Sequence, residues 1–195
     1  VLTENKWVTA SDWTFIASPQ IELSGKTFGV IGFGRIGQRT GELARAFGMR
    51  VIANSTSRSQ NAPYPFEWRS VEEVFEQSDV ISLHCPLTAS NKEFVNGNLL
   101  RRMKKSAFLI NTARGGLINE ADLADALTKG TLAGAGIDVV SREPLLAENP
   151  LLGAPNLILT PHIAWATLEA RTRLMKQTAE NLRAFIAGNP INVVN

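Results

Sequence analysis

The run "GVIGFGRIGQ" sets Gly32, Gly34 and Gly37 in a G-x-G-x-x-G spacing between a short apolar segment and a helical one. In that setting the first glycine permits a tight turn, the second lets the backbone approach a pyrophosphate, and the third lets the helix lie close on the strand. Arg35 and Ile36 then contribute the first amides of a helix, whose unpaired N–H groups and dipole favour an anion. A second group is polar and follows later apolar runs: His84-Cys85-Pro86-Leu87, Asn111-Thr112-Ala113-Arg114-Gly115, Asp138, and Thr160-Pro161-His162. Each has a plain alternative. Arg114 could pair with Glu143, Asp138 could cap a turn, and His162 could be a satisfied core imidazole. Four such groups at one edge of a sheet, where an open parallel sheet binds ligands, argue for a site.

Those positions require a regular frame. Residues 26–32 ("KTFGVIG") read as a buried parallel strand, and 35–47 as a helix with Ile36, Leu43, Ala44 and Phe47 at helical spacing, stopped by Gly48. Strands are expected at 50–54, 80–84, 107–111, 135–139 and 157–160. Ser70 and Glu73 are placed as a capping box at the start of "SVEEVFEQS", and a further helix runs over 120–129 to Gly130. A last helix over 168–187 ends before Gly188 and Pro190. Strands alternating with helices predict a parallel sheet covered on both faces.

Composition excludes several classes. With 195 residues, 44% hydrophobic and 19% charged, and a formal net charge of +2, the chain has no electrostatic case for nucleic acid or an anionic membrane. The most basic run, "RRMKK" at 101–105, reads as the solvated end of a short helix beginning near Asn98. Cys85 is the single cysteine, which rules out an intrachain disulfide and a thiolate metal cluster and suits a reducing, cytoplasmic setting. No apolar run approaches the roughly 20 residues a bilayer span needs. The chain opens on "VLTENKWVTASDWTF" without an initiator Met, so it is expected to begin inside a longer protein.

The segments "GKTFGVIGFGRIGQ", "SDVISLHCPLT", "FLINTARGGLINEADLADAL", "LAGAGIDVVSREP" and "LILTPHIAWAT" resemble the D-isomer-specific 2-hydroxyacid dehydrogenase family, over nearly the whole chain. Within it, "HIAWAT", "DWTF" and "PINVVN" look most like the glycerate dehydrogenase, or hydroxypyruvate reductase, branch. The resemblance implies an α/β fold, a Rossmann-type doubly wound parallel sheet in three layers. It also implies hydride transfer between a nicotinamide and a small D-2-hydroxy or 2-oxo acid. In that chemistry His162 matches the acid/base, a role for which imidazole is suited. Glu143 matches the carboxylate that orients it, and Arg114 the arginine whose planar fork holds the substrate carboxylate. Asp138 matches the contact to the nicotinamide carboxamide. Gly32, Gly34, Arg35, Ile36 and Gly37 match the pyrophosphate turn, with Pro86 and Thr112 lining the cofactor. No metal is implied, and the usual assembly is a homodimer through the nucleotide domain.

Two departures from the family pattern stand out. The family enters through a substrate domain, whereas here the glycine-rich strand begins near Thr27. The expected organisation is therefore a lead-in over 1–22, a nucleotide-binding domain over 23–166 and a C-terminal helix and tail over 167–195, with the substrate domain missing. The second departure is in "RVIANSTSRS": the family's NAD-binding acid falls at Ser55, and no neighbour supplies a carboxylate. Without that acid a 2′-phosphate is not repelled, Arg58 can pair with it, and Ser55 and Ser57 can donate to it. NADP(H) is the favoured cofactor, with NAD(H) the alternative.

Other readings remain open from sequence alone. A nicotinamide-sensing regulator on the same fold, as in related corepressors, keeps such residues too. A phosphoglycerate dehydrogenase usually carries a regulatory extension, a formate dehydrogenase has an amide at the Glu143 position, and a methyltransferase leaves Arg114, Glu143 and His162 unexplained. Trp7, Trp13 and Phe15 in the lead-in could form an interface or pack on their own domain, and Trp165 is the one local hint of substrate selectivity.

Overall fold

The structure, a computed structural model, describes residues 6–17, 20–58 and 61–194. Seven parallel strands form one sheet in the order β3-β2-β1-β4-β5-β6-β7. In chain order they are β1 (Thr27–Ile31), β2 (Arg50–Asn54), β3 (Glu67–Trp68), β4 (Val80–Leu83), β5 (Phe108–Asn111), β6 (Gly134–Ile137) and β7 (Leu157–Leu159). The helices are α1 (Arg35–Ala46), α2 (Val71–Gln77), α3 (Gly97–Leu100), α4 (Glu120–Thr128) and α5 (Leu168–Ile186), with a 3-10 turn at Gly115–Leu117. The chain builds outward from β1 to β3, then returns to place β4 on the other side of β1. That reversal is the switch point at which an open α/β sheet binds its ligand.

Side chains alternate across β1. Phe28 and Val30 join Ala44, Val51 and Ala53 in the core beneath α1, while Ile31 belongs to a larger core with Ile81, Leu83, Leu109, Leu123 and Leu127. The second core lies under α2, α3 and α4 across the width of the sheet. The first lies over β1 and β2, with Trp68 of β3 and Val80 of β4 at its borders. On that same face Ile158 of β7, in register with Gly136 and, through it, Ile110, is 72% exposed. The three layers are thus complete over one half of the sheet and open over the other.

Most expected elements form one or two residues shorter than their apolar runs. His84 and Thr160, read as strand ends, still donate their amides to the preceding strands but lie beyond the ladder. The Ser70–Glu73 capping box is present in both directions. β3 was not expected from sequence; its two residues follow Pro63 and Pro65 and hold the sheet edge by pairing with Ile52 and Ala53. The basic run at 101–105 follows α3 directly, with Arg101 as its C-cap, and is mostly exposed, as expected of a solvated helix end; two of its cations also form ion pairs. Arg102 pairs with Glu76, and Lys104 Nζ lies 3.0 Å from Asp79. Trp7 and Trp13 lie on the surface, with the Trp7 indole N–H bonded to the Trp13 carbonyl, so the lead-in turns on itself. α5 has no buried residue. Among the described residues no helix is long and apolar enough to cross a membrane.

One close approach fixes the loops that matter most. A Cβ on Gly115 would stand 1.9 Å from the carbonyl carbon of Val140, so the loop after β5 lies directly on the loop after β6. Backbone cannot yield as a side-chain tip does. Gly115→Ala is therefore expected to destabilise the fold by about 3 kcal/mol, the upper range for overpacking. Urea unfolding measures it, and a loss below about 1 kcal/mol would show that the two loops are free to separate.

Candidate functional site

The glycine turn makes a cradle. Gly32 has φ +93°, in the left-handed region, and a Cβ there would lie 2.4 Å from the Cys85 amide nitrogen. Gly37 allows α1 to close on the turn, since a Cβ would lie 2.2 Å from the Gly32 carbonyl oxygen. Gly34 differs: a Cβ would meet nothing within 4 Å, so the space above it is open. As the N-cap of α1 it also offers no side-chain acceptor to the first amides of the helix. Open space, uncapped amides and a helix dipole are what a pyrophosphate requires. The chain's residues fit that group.

A cavity of about 510 Å³ runs from this turn along the β1–β4 boundary, lined by Gly32, Gly34, Asn54, Ser55, His84 and Pro86 among others. Arg35 and Ile36 line the adjoining hollow on the outer side of Gly34. Ser55 follows β2 and half-faces the cavity. Arg58 is exposed beyond it, near α2. There Glu73 has its carboxyl held low, first by its bonds at Ser70, and then, against some desolvation, by the charges of Arg69 and Arg58.

At the other end of the sheet edge, His162 Nδ1 lies 2.8 Å from Glu143 Oε2. That hydrogen bond is the main cause holding the Glu143 carboxyl below its ordinary range. Glu143 is fixed by its surroundings: Val140 N–H donates to Oε1 at 3.3 Å, and Glu120 on α4 accepts from both Ser141 and Asn149 on either side. His162 adopts φ +55°, which a non-glycine residue rarely does and which costs of order 1–3 kcal/mol. Three contacts hold it there. Its amide donates to the carbonyls of Asp138 and Thr160, and its carbonyl accepts the Trp165 indole N–H at 2.9 Å. A cavity of about 600 Å³ borders the pair, lined by Asp138, Val140, Glu143, Leu145, Thr160 and His162.

Asp138 is largely committed to that turn. Its carboxylate accepts from Thr160 Oγ1 at 2.6 Å, from Ile163 N–H and from Ala164 N–H, both at 2.9 Å. Burial works against the charge, but these bonds outweigh it and hold the carboxyl below its ordinary range. Asp138 therefore caps the turn at 160–164, as the plain alternative for it holds. Thr112 meets Asp138 in a smaller cavity of about 300 Å³ on the open face of the sheet. Arg114 neither pairs with Glu143 nor lines these cavities; its Nη1 donates to the Ala113 carbonyl at 2.6 Å and the residue is exposed.

Three residues named from the sequence, Thr160, Trp165 and Asn111, act by shaping turns, a role the sequence did not give them. Thr160 and Trp165 hold the His162 turn, and the side chain of Asn111, fully buried, bonds both Ala113 N–H and the Arg114 carbonyl. The signal for Asn111 was present: a buried amide at a strand end usually shapes the turn that follows. His84 is the fourth polar group of the edge. Ser82 Oγ lies 2.9 Å from its Nε2, and burial pushes its pKa down to about 4.

Residues 1–164 match the family described as D-isomer specific 2-hydroxyacid dehydrogenase, NAD binding domain. The hydroxypyruvate reductase of Blautia hydrogenotrophica is 48% identical, with 100% of this chain aligned to 61% of that protein. The glycerate dehydrogenase of Methylorubrum extorquens is 43% identical, with 96% of this chain aligned to 59% of its length. Among solved structures, an acyclic imino acid reductase in complex with NADPH and D-Arg superposes with a TM-score of 0.85 at 35% identity, covering 100% of this chain and 61% of that one. The NAD complex of a D-isomer specific 2-hydroxyacid dehydrogenase from Lactobacillus delbrueckii ssp. bulgaricus gives 0.83 at 28% identity, covering 98% and 63%. The chain thus spans about three fifths of the length of the relatives it matches.

The His84 shift fixes a pH dependence. Its folded pKa is depressed from 6.5 to about 4, so the stability tied to the neutral ring is intact above pH 6.5. As pH falls from 6.5 towards 4 the unfolded chain takes up the proton first, and up to ~3 kcal/mol is lost. His84→Gln should flatten that part of the profile. Urea midpoints measured across this window for both proteins test it, and parallel profiles would contradict it.

Proposed function

Because the chain belongs to the D-isomer specific 2-hydroxyacid dehydrogenases as their NAD binding domain, we propose that it is the cofactor-holding part of an oxidoreductase acting on a small D-2-hydroxy acid and its 2-oxo partner. Glycerate with hydroxypyruvate, or glyoxylate, are the favoured substrates, after the relatives that bear those activities in their names. The observation that carries the reading is the His162–Glu143 pair, 2.8 Å apart and about two fifths exposed, at the same sheet edge as the glycine cradle. Nδ1 of His162 is engaged by the carboxylate, which leaves Nε2 for a substrate oxygen.

The bound reduced nicotinamide would supply the hydride. His162 gives a proton from Nε2 to the carbonyl oxygen in reduction, and takes the hydroxyl proton in oxidation. Glu143 keeps the ring oriented and compensates its charge when both nitrogens carry protons. Arg114 holds the substrate carboxylate; only one of its five N–H donors is occupied by Ala113, and swinging off that carbonyl frees the fork. Gly32, Gly34, Arg35, Ile36 and Gly37 would hold the pyrophosphate, Pro86 and Thr112 would line the cofactor, and Asp138 would offer the carboxamide the acceptor capacity its turn leaves.

The cofactor favoured is NADP(H). Ser55 stands where the family's ribose-binding acid falls, so a 2′-phosphate meets a hydroxyl instead of a carboxylate, and Arg58 supplies a cation nearby. We further propose that a substrate domain completes the whole protein, in line with the two fifths of the relatives' length that this chain does not span. α5, without a buried residue, and the open half of the sheet supply apolar surface for it or for a second subunit of a homodimer.

Titration with NADPH and NADH should give NADPH tighter binding by about tenfold, a difference of about 1.4 kcal/mol; NADH tighter by the same factor would refute the preference. In the complete enzyme, Glu143→Ala should lower kcat by about 10²-fold or more while leaving cofactor affinity within about twofold. An unchanged kcat would remove the pair from the chemistry.

A further inference from the structure

The segment after the ribose loop, "NAPYPFEWR" at 61–69, carries aromatic rings at Tyr64, Phe66 and Trp68. Alternation in an extended chain sends all three to one side. They converge on Phe33, the fully buried residue between Gly32 and Gly34. Ring centroids lie 4.4 Å from Phe33 to Phe66, 5.4 Å to Trp68 and 6.5 Å to Tyr64, with the last two edge-on. The side chain of the pyrophosphate turn is therefore seated in a box built by the far end of the ribose loop.

Hydrogen bonds close the circuit. The Tyr64 hydroxyl donates to the Gln38 carbonyl at 2.5 Å, and Gln38 Nε2 donates to the Phe33 carbonyl at 3.1 Å. Gly41 lets α1 press on the same ring, because a Cβ there would lie 2.4 Å from the Tyr64 hydroxyl. The near end of the loop is pinned separately. Asn54 accepts from Gly32 N–H at 2.8 Å, and its side-chain amide donates to the Arg69 carbonyl at 2.8 Å. Ser55 and Arg58 lie between these two anchors.

We propose that Phe33, Tyr64, Phe66 and Trp68 are specificity-determining positioning residues: they set how far the loop at 55–58 stands from the pyrophosphate turn, and so which adenosine ribose it accepts. This rests on the reading that turn and loop together hold a nicotinamide dinucleotide. Slackening the box moves the loop at Arg58, the cation a 2′-phosphate would meet beyond Ser55. The pyrophosphate keeps its own anchor through Asn54 and Gly32. Discrimination between the two cofactors therefore changes more than affinity for what they share.

The test compares wild type with Tyr64→Phe, which removes one hydroxyl and keeps the ring, and with Phe66→Leu, which keeps an apolar side chain and removes the stacking. Dissociation constants for NADPH, NADH and ADP-ribose are read by fluorescence, with Trp68 beside Phe33 as an intrinsic reporter, and urea unfolding is followed alongside. The ratio of NADH to NADPH dissociation constants should move by about fivefold, the worth of one hydrogen bond, while ADP-ribose affinity stays within about twofold. A ratio unchanged in both variants overturns the proposal, even if stability falls. Equal losses for all three ligands do so as well, because that is what a merely structural box gives. A wild-type ratio near one would sink the NADP(H) preference alone, since the variants' shift still decides the role of the box. A wild type that binds none of the three overturns both.

Discussion

At the sheet's reversal the end of β1 passes so close to the chain leaving β4 that one added carbon on Gly32 would lie 2.4 Å from the Cys85 nitrogen. The rest of the site depends on that constraint. It forces a left-handed glycine at the turn and points the start of α1 at the opening between the strands. It also aligns the C-terminal ends of β1, β2 and β4 around a single cavity. An anion site made of backbone needs such a frame, because amides can be aimed only by fixing the chain that carries them.

The same logic governs the other end of the edge, where the constraint is a turn instead of a strand crossing. His162 holds an unfavourable backbone conformation because Asp138, Thr160 and Trp165 bind its amide and carbonyl from different directions. Glu143 reaches it from a loop clamped by Glu120 and pressed by Gly115. A small strain at one residue, offset by several local bonds, places an imidazole beside a carboxylate at the mouth of a cavity.

Backbone-determined features were legible in the sequence. The tight glycine turn at the start of α1 follows from glycine spacing, the capping box from Ser70 and Glu73, and the sheet from apolar runs between helical segments. Strand ends were overestimated because His84 and Thr160 keep a ladder-like hydrogen bond after the pairing stops. β3 was hidden by two prolines that read as loop, although the alternation of Tyr64, Phe66 and Trp68 was there to be seen. Side-chain commitments across long separations were the least visible. Nothing local says that the Asp138 carboxylate is claimed by donors 22 to 26 residues away, or that Arg114 folds back on Ala113. Pairing of His162 with Glu143 is 19 residues apart, and only the family resemblance pointed to it.

The central claim is that uncapped backbone amides at the start of α1 receive the pyrophosphate of a nicotinamide dinucleotide. Backbone amide NMR during titration with NADPH tests it most directly. The largest shifts should fall on Gly34, Arg35 and Ile36, followed by Ser55. Saturable binding that leaves those amides unmoved would contradict the account.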